Sequence, residues 1–488
     1  MTTKVLALTT LTLGAAMMVA AAQTVQTVQT VPVTPPPPAL SSTEQTIKDI
    51  KNPVPWMNWG ADLRIRDEYF DDLMTLDPKA RLHEQNMIRI RTRLWTSITP
   101  VENLSLNARI TDEIREWTKP AAYTPMKGQT GLDMREGLVD NLNVEMKNVA
   151  GLPLTIKAGR QDLFLGEGWL TGDGTPNDGS WTYYLDAARF TYELKDQQTT
   201  IDAIGIIQDA YDDGWLPTIN PQRLIEVEQN EKGAILQVAN SSLSAANLTG
   251  YFIYKNDSRV ARNGDNADIY TVGGRLNGLV SDHWKYAAEG AYQFGRKADA
   301  NIKWPATTAG SSDYRGLNAY GFNSKLTYLF KDRLNNQLSC SLELLSGDNP
   351  NTGTDEMFDV LWGRWPRWSE IGLYGYAAET RVGQEANLVR FGPTWTINPI
   401  KDMEFSASYY ALFAMTDTPT RQVVPPSVSS PLFSNDDNFR GHFASGVLKY
   451  KFSRHMNGHL WSEFLMPGGY YANDTLITWL RAEVMFTF

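Results

Sequence analysis

Three arginines alternate in Arg89-Ile90-Arg91-Thr92-Arg93, and two more in Arg64-Ile65-Arg66. Spacing of two places each set on one face of an extended strand. A guanidinium is a planar fork of donors matched to a carboxylate, so a stack of them can bind an anionic solute at successive points. By the same alternation Arg109, Arg189, Arg275 and Arg481 take this phase, with Lys147 and Lys157. The acids Asp62, Glu68, Glu145, Glu193, Glu289, Glu404 and Glu483 interleave with them. Two uses stand open for each single arginine, a salt-bridged wall that rigidifies the protein and a basic lining that meets a solute. Five guanidiniums crowded together exceed the acids near them in sequence, which predicts a positive wall.

The elements that must carry these residues are strands with one apolar and one polar face. Trp59, Ala61, Leu63 and Ile65 oppose Asp62, Arg64, Arg66 and Glu68; Ile88, Ile90, Thr92 and Leu94 oppose Arg89, Arg91 and Arg93. The last strand is the clearest. Leu476, Thr478, Leu480, Ala482, Val484, Phe486 and Phe488 take one side, and Ile477, Trp479, Arg481, Glu483, Met485 and Thr487 the other. Ending on Phe after such a strand resembles the C-terminal signal of bacterial outer-membrane β-barrels. In a membrane barrel the apolar face meets lipid and the charged face lines the lumen; a charge at mid-membrane on the lipid face costs about 2–4 kcal/mol. Short links near Thr99–Glu102, Val149–Pro153, Lys195–Gln198, Ser281–His283, Asp332–Asn335, Asn398–Lys401 and Ser453–Arg454 alternate with long polar ones near 71–85, 112–135, 165–182, 210–231, 257–267, 297–316, 347–385, 416–439 and 466–474. Taking Glu370–Arg381 as loop, the pattern predicts an all-β, antiparallel up-and-down transmembrane barrel of about 18 strands over residues 56–488, with short periplasmic turns and long extracellular loops.

Composition fits this architecture. The mean hydropathy of −0.35 is that of a soluble chain, and past the N-terminus no run approaches the roughly 20 apolar residues of a membrane helix. Alternation hides the apolar residues from such an average. Fifteen Trp and 21 Tyr suit interfacial girdles. Residues 1–22, with Lys4, an apolar run from Val5 and Ala20-Ala21-Ala22, read as a secretory signal peptide. Residues 23–55 read as a Pro-rich periplasmic tail, in which Ser41 and Glu44 have capping-box spacing ahead of a short helix. The single Cys340 excludes an intrachain disulfide and reads as a small packing residue. A net charge of −10 argues against nucleic acid as partner.

No constellation calls for a cofactor, a metal or catalysis. His455, His459 and Glu463 share a strand face, but residues four apart on a strand stand about 13 Å from each other. Gly172–Gly179 has calcium-loop composition without the spacing or closing Glu of an EF-hand. It and Asp209–Asp213 read as turn-rich loops. Trp362, Trp365, Trp368 and Tyr374 could stack on sugar rings, join the outer aromatic belt or pack a long loop into the barrel mouth, and loop packing is the preferred reading. There is no nucleophile elbow, Walker loop or HExxH, so the protein reads as a non-enzyme.

Gly159-Arg160-Gln161 followed by Gly166-Glu167-Gly168-Trp169-Leu170, then SWTYYLDAARFTY at 180–192 and Asn387–Pro393 after a Trp-rich loop, resembles the alginate export family of outer-membrane barrels. The resemblance implies an 18-stranded barrel with an arginine-rich lumen, constricted by inward-folded loops, that passes a polyuronate. It would put Arg160 near the constriction, with Asp186 and Arg189 on the next strand. Counting from Leu154, Ile156 and Ala158, however, gives Arg160 the lipid-facing phase, so that placement requires a bulge or a different register.

The expected function is passive conduction of an anionic polysaccharide through a lumen path including Arg64, Arg66, Arg89, Arg91, Arg93, Arg109, Arg160, Arg189, Arg275 and Arg481. Expected partners are that polysaccharide or another anionic solute, outer-membrane lipid and lipopolysaccharide, and periplasmic export proteins. The expected location is the outer membrane of a Gram-negative-type bacterium. The alternative is an uptake porin for small anionic or sugar solutes.

Overall fold

A computed structural model describes residues 41–73, 76–79, 83–119, 132–172, 184–211, 214–219, 227, 229–260, 264–298, 314–349, 351–363, 368–374, 385–417 and 432–488, with side chains of 132–136, 373 and 374 left aside. The signal-peptide reading, the proline run, most of Gly172–Gly179, Asp212, Asp213 and Trp365 lie outside these residues. Helix α1 (Ser42–Lys51) starts at Ser41, whose hydroxyl accepts from the Glu44 amide at 3.2 Å. That is the half of a capping box that satisfies an orphan N–H. Among the described residues no helix is long and apolar enough to cross a membrane.

Nineteen strands follow: β1 (Met57–Asp71), β2 (Glu84–Val101), β3 (Leu104–Lys119), β4 (Leu132–Met146), β5 (Leu154–Gln161), β6 (Leu185–Leu194), β7 (Thr199–Gln208), β8 (Asn230–Leu243), β9 (Ala246–Ser258), β10 (Ala267–Leu279), β11 (Trp284–Ala298), β12 (Tyr314–Leu329), β13 (Gln337–Leu345), β14 (Thr354–Asp355), β15 (Leu388–Ile397), β16 (Met403–Phe413), β17 (Phe439–Lys451), β18 (Met456–Pro467) and β19 (Ile477–Thr487). Each pairs antiparallel with the next, except that β14 is a two-residue strand in a loop, and β13 pairs with β15. Pairing of β1 with β19 closes the ring. The wall is therefore a closed antiparallel barrel of 18 strands. Closure leaves no open edge, the condition for backbone to cross a bilayer.

Burial runs opposite to that of a soluble protein, which is the physical signature of a lipid-facing wall. On β1 and β2 Ile65 is 42% and Leu94 50% exposed, whereas Arg66 and Glu68 between them are fully enclosed. Cys340 sits exposed on β13, beside exposed Leu338. Aromatics gather at both strand ends: Tyr254, Tyr270 and Phe294 stack on the long-loop side, and His283, Trp284, Tyr328 and Phe330 on the short-turn side. These are the girdles that position a barrel in its membrane.

Local chemistry explains the turns. Asn103, Asn148, Asn335 and Asp402 adopt positive φ at short links, and Asn and Asp tolerate that region best. One link, Leu243–Ala246, carries no Gly, Pro, Asn or Asp, and the sequence pattern alone does not mark it. The closing strand is fixed at its end as well. Phe488 exchanges backbone hydrogen bonds with Ala61 at 2.8 and 3.3 Å, and its ring lies 5.2 Å from that of Trp59.

Candidate functional site

The site is the lumen wall made by β1, β2, β3 and β19. Pairing sets Arg66 opposite Glu483 and Glu68 opposite Arg481 across the seam, and Arg64 opposite Arg91 and Arg66 opposite Arg89 within the hairpin. Two arginine rows would repel, and carboxylates from neighbouring strands intervene. Glu113 of β3 meets Arg64 at 3.3 Å, Arg89 at 2.5 Å and Arg115 at 2.8 Å. Glu68 meets Arg89 at 3.0 Å and Arg481 at 2.5 Å; Glu483 meets Arg66 at 2.5 Å. Asp62 is shared by Arg91 at 3.5 Å and Arg93 at 2.8 Å. Each of the five arginines expected to form a positive wall thus stands within a ladder of ion pairs. The reason is topological: acids of neighbouring strands intervene, Glu113 from β3 and Glu483 from β19, the latter 417 positions from Arg66.

The carboxylates of the ladder are shared. In this ladder, among the described residues, Arg64, Arg66, Arg89, Arg91, Arg93, Arg115 and Arg481 face Asp62, Glu68, Glu113, Glu483 and Glu370. Asp62 is divided between Arg91 and Arg93, and Glu113 among Arg64, Arg89 and Arg115.

The other predicted arginines are dispersed around the barrel. Arg109 binds Asp140 at 2.8 Å and Asp162 at 2.6 Å. Asp140 is bulged out of register between β3 and β4 and also accepts from Thr111. Arg189 donates to Asp202 at 2.9 Å. Arg275 stands 3.9 Å from Glu289 and donates to Thr249 at 3.4 Å. Arg160 does not join the lumen wall. It keeps the outward phase of Ile156 and Ala158, pairs with Leu142 and Asp186, and is covered on that side. Its guanidinium lies 3.6 Å from the Tyr184 ring centre and 5.5 Å from that of Trp215, and donates to Asp186, Val139 O and Leu216 O. A stacked, ion-paired guanidinium under a loop avoids the lipid cost that had argued for an inward position. No register shift interrupts β5; Gly159, at φ 119°, takes a conformation in which a Cβ would lie 2.3 Å from Leu142 O.

The two loops that sequence motifs single out meet inside the barrel. Trp169 donates to Glu343 of β13 at 3.0 Å and stacks on Phe358 at 5.4 Å. Trp362 N donates to Leu170 O, and Gly172 N to Trp362 O, both at 3.0 Å. Gln293 of β11 clasps the backbone of Asp359 at both its N–H and C=O. Leu163, Trp169, Leu170, Phe358, Val360, Leu361 and Trp362 are all nearly or fully enclosed. This is an apolar core built within a polar lumen. Gly166, where the loop meets the Arg275 guanidinium of β10, adopts φ 62°, a left-handed conformation that favours glycine. A short helix, α2 (Glu370–Tyr374), docks on β18 and β19: Glu463 accepts from Ser369 Oγ and the Glu370 and Ile371 amides, while Glu370 meets Arg481 at 2.7 Å. Trp368 packs edge-on against Tyr410 and Phe443. His459 stands 3.5 Å from Glu483 and His455 bonds Thr487 O, so they do not converge on one ion.

Residues 55–475 match the family model described as Alginate export. The chain belongs to the alginate export family. No curated protein matches the chain. The fold is similar to Acinetobacter baumannii OccAB3 (TM-score 0.52, 9% identity, covering 88% of this chain and 99% of that one). It is similar also to Acinetobacter baumannii OccAB1 (0.52, 10%, 88% and 96%) and Pseudomonas aeruginosa OpdL (0.52, 8%, 89% and 99%). At such identities the likeness extends to the barrel fold alone. This member of the family is thus an outer-membrane channel whose lumen carries a paired arginine ladder and two inward loops.

Several lining residues are invisible to alternation read strand by strand. Glu113 and Arg115 fall in a charge-dense stretch, DEIREWTK at 112–119, that reads as loop. Its own alternation of Glu113, Arg115 and Trp117 was the available signal. Arg390, which meets Glu343 at 3.2 Å and lies over Trp368 and Tyr410, and the enclosed Lys255–Glu231–Asp257 group likewise emerge only from the closed sheet.

Proposed function

We propose that this channel passively conducts a carboxylate-bearing carbohydrate, an alginate-like polyuronate, along the arginine ladder. The observation that carries the reading is the row of guanidiniums that share their carboxylates, Arg91 and Arg93 at Asp62 and Arg64, Arg89 and Arg115 at Glu113. A carboxylate arriving there displaces part of an ion pair instead of entering a vacant strong site. Each stop is then shallow, and release follows easily. Family membership supports the same class of cargo. A second reading, uptake of small anionic or sugar solutes, draws support from the inward loops, whose apolar core narrows the lumen.

Planar-bilayer recording separates them. Added polyuronate should block the ionic current of a polymer channel, and a neutral glycan of equal length should not. Replacing Arg89, Arg91 and Arg93 together with Gln should weaken both the block and the anion preference. Current unaffected by polyuronate, but inhibited by mono- and disaccharide acids, would establish the second reading instead.

A further inference from the structure

At the long-loop rim of the first hairpin, Asp71, Asp72 and His83 converge. His83 Nδ1 lies 3.1 Å from Asp71 Oδ1 and 3.5 Å from Asp72 Oδ1, and one ligand atom from each of the three falls within 4.8 Å of the others. Asp72 is 2% exposed, and its enclosed Oδ1 has no hydrogen-bond partner. Leaving a carboxylate oxygen so is costly unless a cation completes it. Among the described residues the only cationic partner of either aspartate is His83, while Asp77 adds further negative charge to Asp72. The backbone holds this arrangement: Asp72 adopts φ 56°, and its N–H donates to His83 O at 2.8 Å.

We propose that Asp71, Asp72 and His83 form a binding site for a divalent first-row transition cation. Ligands at about 2.0–2.2 Å from one ion are separated by roughly 3.0–3.5 Å, the spacing His83 already has to each aspartate, with the two aspartates within 4.8 Å of each other. One imidazole nitrogen with two carboxylates makes a borderline donor set that suits zinc and its neighbours; calcium prefers six to eight oxygens. Two carboxylates neutralise the ion's charge. Half-exposed Asp71 and His83 leave its remaining positions open to water. Asp71 ends β1 and His83 immediately precedes β2, so the bound ion closes the intervening loop as a clip. This site is independent of the lumen reading, since it lies at the rim and its ion pairs involve no group of the arginine ladder.

The test uses the full-length folded protein in detergent, dialysed against Zn2+ with bound metal counted. One zinc per chain should be retained by the wild type in excess Mg2+ or Ca2+, with affinity lowered about tenfold or more in Asp72→Asn and His83→Ala. Because a variant can misfold, hydrogen exchange of wild-type peptides spanning Asp71 to His83 provides a second measure. Zinc should slow it. Equal zinc counts in wild type and variants, displacement by Ca2+, or exchange unchanged by saturating zinc would each overturn the proposal.

Discussion

Glu113→Gln is the most direct probe of the ladder. It removes one negative charge while keeping the side chain's shape, and leaves Arg64, Arg89 and Arg115 without the carboxylate they share. For an ion passing about 8 Å away in water, one added positive charge is worth about 0.5 kcal/mol. Acting with opposite sign on anions and cations, this raises the anion-to-cation permeability ratio about sixfold at low ionic strength. At ~0.1 M salt, where the screening length is about 10 Å, the gain falls to about twofold. The assay is the reversal potential of single channels under a salt gradient, taken at two ionic strengths. Removing one partner of a buried ion-pair group also destabilises, by about 3–5 kcal/mol, so the thermal midpoint of the folded barrel should drop. The double variant with Arg115→Gln restores the net charge and should return selectivity toward wild type. A folded Glu113→Gln channel whose reversal potential is unchanged at low salt refutes the electrostatic reasoning outright.

Two other perturbations act on the loops. Trp169→Ala removes the hydrogen bond to Glu343 and the stack on Phe358; loss of a large buried aromatic costs about 3–5 kcal/mol. The inward loop should loosen and single-channel conductance rise, and unchanged conductance would show that this loop does not limit the path. Asp348, in the loop after β13, is enclosed beside Asp355, and burial, then that neighbouring charge, pushes its carboxyl up to about 6 against an opposing pull from Arg315. Its folded form therefore binds a proton more tightly than the free side chain. The resulting contribution to docking is full below the ordinary carboxylate range and is lost as pH rises through about 6. Hydrogen-exchange protection of residues 346–357, corrected for intrinsic rates, should fall as pH rises from about 5 to 7.5, and Asp348→Asn should flatten that dependence.

Much of the barrel is legible in its residues because lipid imposes a strict rule. A two-residue period has to persist through every membrane-crossing strand, and the 18-strand wall and nearly all its connections follow from that rule. The exceptions have physical causes. The Leu243–Ala246 turn uses residues without turn preference. β3 extends beyond the bilayer to Lys119, where the apolar half of the period fades and charge takes over. Arg160 shows the converse: its phase is plain in the sequence, yet only the tertiary cover of Tyr184 and Trp215 explains how a charge sits there. The charge state of the ladder was the least legible feature. Alternation reports which face a side chain takes, whereas neutralisation depends on which strands become neighbours, and Glu483 is separated from Arg66 by 417 positions.

That separation bears on how the channel is built. Arg481 lies on the last strand, binds Glu68 of the first, meets Glu370 of α2 and rests 4.5 Å over the Trp479 ring. One guanidinium thus joins barrel closure to the docking of an inward loop. Its carboxylate partners Glu68 and Glu370 occupy two separate segments, and the seam pairs Arg481–Glu68 and Arg66–Glu483 form only when β1 and β19 meet. The β1–β2–β3 pairs can form within their own hairpins, whereas the seam pairs complete the charged wall only at closure. The same sharing suits conduction. Where a carboxylate is divided between two or three guanidiniums, a passing anion exchanges places with a fraction of one bond, and the wall behind it re-forms from the groups already present.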